Sequence, residues 1–399
     1  MSLFSAMKSQ NTLGATLLVT GCCIGAGMIG LPVLSFFAGF MPSTLAMLFC
    51  YFFTTATGLL ILESTLWFES KVSFPSIAEF ALGRTGKALT GLLFLFLFYC
   101  IFVAYLDGGG HLFSNLLAYI FKRPVSRELG IFSCALLVSA LTFAGTKMVD
   151  NLNRGLVVGM ALSYGVLILI ALPQIKTVNL QHSDWKAALA TIPILMICFG
   201  YQNLVPSLTH YLKRNVPALR FAIIIGNLVP FFIYLLWNFI ILGLLPASLA
   251  GQAQHEDMIT DLLQEGSQYV SILFLVNAFS LFAIFTSFLP SAISCVDFLR
   301  DGLKYTGPSH SRQAIFLCGL VFVPPLLCTL FYPKLFLRAL SFAGGFIDVL
   351  LFAVLPAVTV LIGRYFKQAS GPYQVAGGRL TPIAVLLFSG VFLYLKCFA

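Results

Sequence analysis

The chain is a succession of apolar runs, each long enough to cross a lipid bilayer. About eleven of them can be marked, at approximately 12–38, 44–67, 88–120, 130–146, 155–175, 187–210, 219–247, 268–298, 314–331, 335–362 and 380–397. A spanning helix needs about 20 such residues, because the hydrocarbon layer is about 30 Å thick. The loops between them are short. The longest polar break, ASLAGQAQHEDMITDLLQEGSQ, lies at about 247–268. Of the 399 residues 59% are hydrophobic and only 9% charged, against about 25% charged in a soluble domain. Too few polar groups exist to cover a water-facing surface, so the expected class is an all-α integral membrane protein, one domain over 1–399, bathed in lipid. The start, MSLFSAMKSQNTLG, is short and polar, and no small-residue cleavage site follows the first run. It is expected to be a retained span rather than a signal peptide.

The net charge of +9 does not make nucleic acid an expected partner, because the basic residues sit in loops that orient a membrane protein. With a cytoplasmic N-terminus, that side holds Lys8, Lys71, Arg84, Lys87, Lys147, Arg154, Lys213, Arg214, Arg220, Arg300, Lys304, Arg312, Arg364, Lys367 and Arg379. The outer side holds Lys122, Arg123, Arg127, Lys176, Lys186, Lys334, Arg338 and Lys396. The bias predicts a cytoplasmic N-terminus and a periplasmic C-terminus, although KRPVSR at 122–127 works against it. The ten cysteines lie mostly inside apolar runs without metal-binding spacing, and read as small packing residues.

Two of the runs are interrupted. In GCCIGAGMIGLPV the first carries Gly25-Ala26-Gly27-Met28 ahead of Pro32, and in PILMICFGYQNLVPS the sixth carries Gly200-Tyr201-Gln202-Asn203 ahead of Pro206. Glycine permits unusual φ and proline removes a donor. A lipid-facing break would leave backbone groups unpaired at several kcal/mol each, so breaks survive where they line a cavity. Packing glycines and kink prolines are common in membrane helices, so one break alone says little. Two breaks fall in matching places if ten spans form two repeats of five, about 12–175 and 187–362, with an extra helix at 380–397. Paired interruptions of this kind point to the binding site of a secondary transporter. Half-helix N-termini suit an anion and freed carbonyls suit a cation or ammonium group; an amino acid zwitterion needs both.

The segments GCCIGAGMIGLPV, IPILMICFGYQNLVPSLTHYLKRNVPALR, LFAIFTSFLPSAISCVDFL, LFYPKLFLRALSFAGG and YQVAGGRLTP resemble the hydroxy and aromatic amino acid permeases, nearly end to end and most closely their tyrosine-specific branch. The resemblance implies the eleven-span inverted repeat of the bacterial leucine transporter, within the amino acid–polyamine–organocation superfamily, and a bacterial inner membrane. It implies ion-coupled import of an aromatic L-amino acid, tyrosine first, with tryptophan or phenylalanine as companions. Transport of another small amino acid is the alternative. By motif match the substrate carboxylate meets the backbone of Gly25, Ala26, Gly27 and Met28. The ammonium group meets carbonyls near Cys23 and at Phe199 and Gly200. Phe199, Tyr201, Gln202 and Asn203 face the side-chain pocket, and Tyr105 approaches the carboxylate. A buried amide there discriminates against an analogue lacking a hydroxyl or indole N–H; capping the broken helix is the simpler use of Gln202 and Asn203.

No cofactor is expected beyond a coupling ion, H+ or Na+. Ala283, Thr286 and Ser287 resemble a sodium site, with the carbonyls of Gly21 and Ile24 completing the oxygen set; hydroxyls bonding back to their own helix are the plainer account. The resemblance leans to protons, yet no lysine lies in the fifth span, where some proton-coupled relatives carry one. Intramembrane acids are functional candidates. Asp107 with His111 one turn on forms an i, i+4 pair able to relay a proton. Glu63 suits a loop base, Asp297 suits Arg300, and Asp348 follows SFAGGF in the tenth span. An intramembrane enzyme is disfavoured: no HExxH, paired catalytic aspartates or GxSxG in a fitting context occurs. A channel would favour repeated filter segments over two broken helices. No protein partner can be named from the sequence.

Overall fold

All regular structure in the computed structural model of the chain is helical, over the described residues 10–70, 72–246, 263, 270–305 and 312–398. The first run is cut into α1 (Gln10–Cys23) and α2 (Gly27–Ala38), whose axes differ by 56°. Then follow α3 (Phe40–Leu66), α4 (Phe74–Phe121), α5 (Arg127–Ala144) and α6 (Thr146–Ala171). The second half opens with α7 (Trp185–Cys198) and α8 (Val205–Tyr211), then α9 (Val216–Leu244), α10 (Val270–Gly302) and α11 (Arg312–Phe331). A tenth segment runs through α12 (Phe336–Phe342), a π-helical stretch and α13 (Leu355–Tyr365), and α14 (Leu380–Phe398) closes the chain.

Among the described residues nine helices are long and apolar enough to cross a membrane, ten if the bent pair counts as one. The expected eleventh is the shorter apolar helix Leu380–Tyr394. The expected spans are otherwise found, with two starts corrected. The third begins at Phe74 rather than 88, because Ser73 caps the helix by accepting from Ser76 N–H and Pro75 suits its first turn. Gly83, at φ 71°, then bends the chain into the span proper. The fifth begins at Thr146 rather than 155, because Gly145, at φ 101°, ends α5 and starts α6 in a single residue. The polar break at 247–268, apart from Leu263, and the basic residues Lys8 and Lys71 lie outside the described residues.

Helices alternate in direction, so the start of α1 shares one end of the bundle with the ends of α3, α8, α10 and α13. That end is laced by charged side chains. Glu63 of α3 finds the basic partner expected from beyond the tenth span, which lies in the last turn of α13. It pairs with Arg364 of α13 at 2.5–2.6 Å and accepts Val375 N–H at 2.7 Å, and the two side chains are 2% and 5% exposed. Arg214 reaches the Phe68 and Leu66 carbonyls, and Lys367 the Phe80 carbonyl. At the opposite end Asp184 caps α7, accepting the Lys186 and Ala187 N–H groups, which hold its carboxyl below the usual aspartate range. Asp297 lies beside Arg300 at 3.9 Å, as expected.

Candidate functional site

The site is made by what the two breaks leave unbonded. In the first, Ile24 N–H donates to Thr20 in the last turn of α1. The ladder resumes only with Met28 N–H to Gly25 and Ile29 N–H to Ala26. No backbone bond joins the amides of 25–27 to the carbonyls of 21–23, so both sets are offered to other groups. In the second, Phe199 and Gly200 N–H close α7 on Leu195 and Ile197, and Leu204 N–H begins again on Tyr201. Pro206 then starts α8 in its first turn, where its missing donor costs nothing.

The breaks touch. A Cβ on Gly27 would stand 2.9 Å from Cys198 Sγ, so only glycine permits this approach. Across them lies Tyr234 of α9, fully buried, its hydroxyl 2.6 Å from the Cys23 carbonyl and 2.9 Å from that of Cys198. One hydroxyl has one hydrogen, so it donates to either carbonyl in turn. The same face of α9 holds the Met28 carbonyl through Trp237 Nε1–H at 2.8 Å, and Ser35 Oγ through the Asn238 amide at 3.0 Å. Sequence reading missed Tyr234, Trp237 and Asn238. Their only signal was polar handles spaced about one turn apart inside the apolar run FFIYLLWNF.

Around the breaks the structure gathers some expected residues and turns others away. Ala26 N–H donates to Ser287 Oγ at 3.4 Å, and Tyr105 of α4 has its hydroxyl beside that same serine. Cys22 Sγ lies 3.6 Å from the Gly200 carbonyl and 4.0 Å from Asn203 Oδ1. Cys22, Gly21 and Asn203 are exposed, although they face the breaks. The exposed polar face continues along α8 through Ser207 and His210, and along α10 through Ser294 and Asp297. These exposed residues all lie on the side of the breaks where α1 begins. On the other side, α2 is buried without interruption from Met28 to Ser35.

Phe199 is not at the cavity. It is fully buried, edge-on to Tyr234 with ring centroids 5.4 Å apart. Tyr201 and Gln202 turn to α3. The Tyr201 hydroxyl donates to the Thr54 carbonyl at 3.0 Å in a notch left by Gly58, and Gln202 Nε2 lies 3.4 Å from Thr57 Oγ1. Among the described residues, none bonds the buried Gln202 Oε1. Cys23 is buried, its thiol 3.9 Å from Asn227 Oδ1.

Of the candidate sodium residues, Thr286 and Ala283 are in contact within α10, and Ser287 reaches the first break. Thr286 donates back to the Ala283 carbonyl at 3.1 Å and lies beside Met160 Sδ of α6. Its neighbour Ser287 meets the break at the Ala26 N–H; Gly21 is exposed and the Ile24 side chain packs on the core. Among the described residues no cluster of His, Cys, Asp and Glu could hold a metal ion. Asp107 is also committed elsewhere than to His111. Arg127 Nη2 donates to its Oδ1 at 2.6 Å, and Phe336 N–H to its Oδ2 at 2.9 Å. Arg127 further reaches the Thr329 carbonyl, so the pair ties α4 and α5 to the end of α11 and the start of α12. It is a structural clasp, drawn from a basic residue that the sequence placed in an outer loop.

The family profile described as the tryptophan/tyrosine permease family matches residues 8–396. The chain is 33% identical over 384 residues to tyrosine-specific transport system 1 of Haemophilus influenzae, across 95% of this chain and 94% of that protein. It is 30% identical to the tryptophan-specific transport protein of the same organism, across 96% and 94%. A protein of Aliivibrio fischeri named glutamine transporter 2 is 28% identical, across 94% and 96%. With two broken spans meeting at Gly27 and Cys198 and a match running from residue 8 to residue 396, the chain belongs to the tryptophan/tyrosine permease family, and is a multi-pass membrane transport protein and not an enzyme.

Proposed function

We propose that the chain is a secondary active transporter importing an aromatic L-amino acid, tyrosine first and tryptophan next, across a bacterial inner membrane. The observation that carries this is the meeting of two broken helices at Gly27 and Cys198. The amides of 25–27 border that junction, and the Gly200 carbonyl lies 3.6 Å from Cys22 Sγ of the first break. A zwitterion needs donors for its carboxylate and acceptors for its ammonium group, at a fixed separation, and this junction supplies both. The relatives named for tyrosine and tryptophan support an aromatic side chain.

The packing supports two inverted repeats. α1 lies along α9 as α7 lies along α3, and α6 lies along α10 as the tenth span lies along α4. These are the pairings that exchange when spans one to five are matched to six to ten. Alternating access then rocks one set against the other around the breaks. The N-terminus is cytoplasmic and the C-terminus periplasmic, in keeping with the loop charges, so the open end of the cavity faces the cytoplasm. Coupling is to protons in preference to sodium.

Purified protein in proteoliposomes tests this. Labelled tyrosine should accumulate under an imposed pH gradient, and unlabelled tyrosine or tryptophan should compete. Competition by leucine, serine or glutamine but not by tyrosine would sink the reading.

A further inference from the structure

Three acids are buried in the spans, and two have a basic partner. Glu63 is held by Arg364 and Asp107 by Arg127. The third is Asp348, only 3% exposed. Among the described residues it forms no ion pair, and none donates it a hydrogen bond. Its place follows from the local backbone. After the glycine pair of SFAGGF the tenth span loosens into π-helix over Ala343–Asp348 and again over Leu350–Val354, a deviation that recurs at functional sites. Gly344 lies so close to α7 that a Cβ there would strike the Pro193 carbonyl. This contact presses the loosened turn against the second break, and Asp348 Oδ2 lies 3.7 Å from where a Cβ of Gly200 would be. The carboxyl is also within electrostatic reach of Cys22 at the first break and of Tyr105 on α4. It therefore sits at the second break, within electrostatic reach of the first.

We infer that Asp348 is the carboxyl on which the coupling proton travels, which rests on the reading of the chain as an ion-coupled transporter. An enclosed carboxylate keeps its charge only beside a cation or water, and no described side chain supplies a cation. The acid is at home here when neutral and can ionise when the breaks open to an aqueous side. That difference lets it load on one side and unload on the other. The step is proton transfer alone. The carboxylate takes a proton from an acid in the outer water, forming one O–H bond, and returns it to cytoplasmic water. Cys22 of α1 and Tyr105 of α4 are the titratable groups within electrostatic reach of it. From α7 the nearest is Cys198, whose carbonyl is held by Tyr234. Among the side chains described on α14, the one titratable group is the exposed Tyr394. On its own span, Arg338 lies ten residues before it and Arg364 is spent on Glu63.

Asp348→Asn, neutral and of the same shape, separates carrying from binding. In proteoliposomes the ratio of pH-driven tyrosine accumulation to tyrosine counterflow should fall at least tenfold, and the remaining counterflow should lose its rise toward acid. Asp348→Glu should restore part of that ratio. Undiminished driven accumulation in Asp348→Asn overturns the proposal. So does complete loss of counterflow in inserted, monodisperse protein, because the carboxylate would then be a substrate contact. Should Asp348→Asn fail to insert, the wild type decides: in weak buffer with a pH dye, tyrosine should draw protons onto the protein, and no uptake overturns the assignment. Failure of the transport reading would show otherwise, as wild-type protein that neither binds nor exchanges tyrosine or tryptophan.

Discussion

The Ser287 hydroxyl lies 3.4 Å from the Ala26 amide nitrogen, joining the eighth span to the break in the first. The same oxygen would stand 2.2 Å from a Cβ on Gly25, so the contact exists because residue 25 has no side chain. Gly25→Ala should therefore disable tyrosine uptake. Adding Ser287→Ala should recover thermal stability, since the remaining Cβ would sit at an ordinary 3.4 Å. A double variant no more stable than Gly25→Ala in a melting assay would reject this account of the clash.

Thr286 and Ser287 should behave differently despite being neighbours. Ser287→Ala removes the acceptor of the Ala26 N–H, a loss of about 1 kcal/mol, and should raise KM for uptake about fivefold. Thr286→Ala removes a bond within its own helix and a 3.9 Å contact with Met160 Sδ, not a bond to the break, and should change KM less than twofold. Equal effects in a kinetic comparison would restore the pair as one ion site.

Gly27→Val should abolish uptake while leaving the protein in the membrane. The added side chain would meet Cys198 Sγ and push the two broken spans apart. Normal uptake by inserted Gly27→Val would show that the spans tolerate separation there.

Tyr234→Phe should cost stability and transport together. The carbonyls of Cys23 and Cys198 lose their shared donor, and interhelical hydrogen bonds in membranes are worth about 0.6–2 kcal/mol. A lower melting temperature and a several-fold fall in uptake are expected. Unchanged values of both would mean that water replaces the hydroxyl.

Glu63→Gln should be severely destabilising, because it strands Arg364 in a nearly closed site; breaking such a pair costs about 3–5 kcal/mol. Glu63→Gln/Arg364→Gln should recover part of that loss in a thermal melt. A double variant as unstable as the single one would place the damage elsewhere, at the Val375 N–H that Glu63 also accepts.

The amino-acid sequence by itself determined the spans and the two interruptions. Both follow from local chemistry: about 20 apolar residues make a bilayer-length helix, and glycine with proline denies it continuous hydrogen bonds. Gly145 and Gly83 also ended or bent helices locally, but the apolar count alone could not see that Thr146 and Phe74 already begin them. The tertiary structure decided which polar groups meet. Asp107 could be matched to His111 from spacing, yet Arg127, twenty residues away, took its carboxylate. Asp348 could not be told from other intramembrane acids until Gly344 pressed its turn onto α7 and left it without a cation beside Gly200. Tyr201 and Gln202 lie in the broken segment as expected, but Gly58 on α3 opened a notch that drew Tyr201 away from the cavity. A charge or hydroxyl in an apolar run must find a partner, and that partner belongs to whichever span packs beside it, a matter of tertiary contacts that no local pattern encodes.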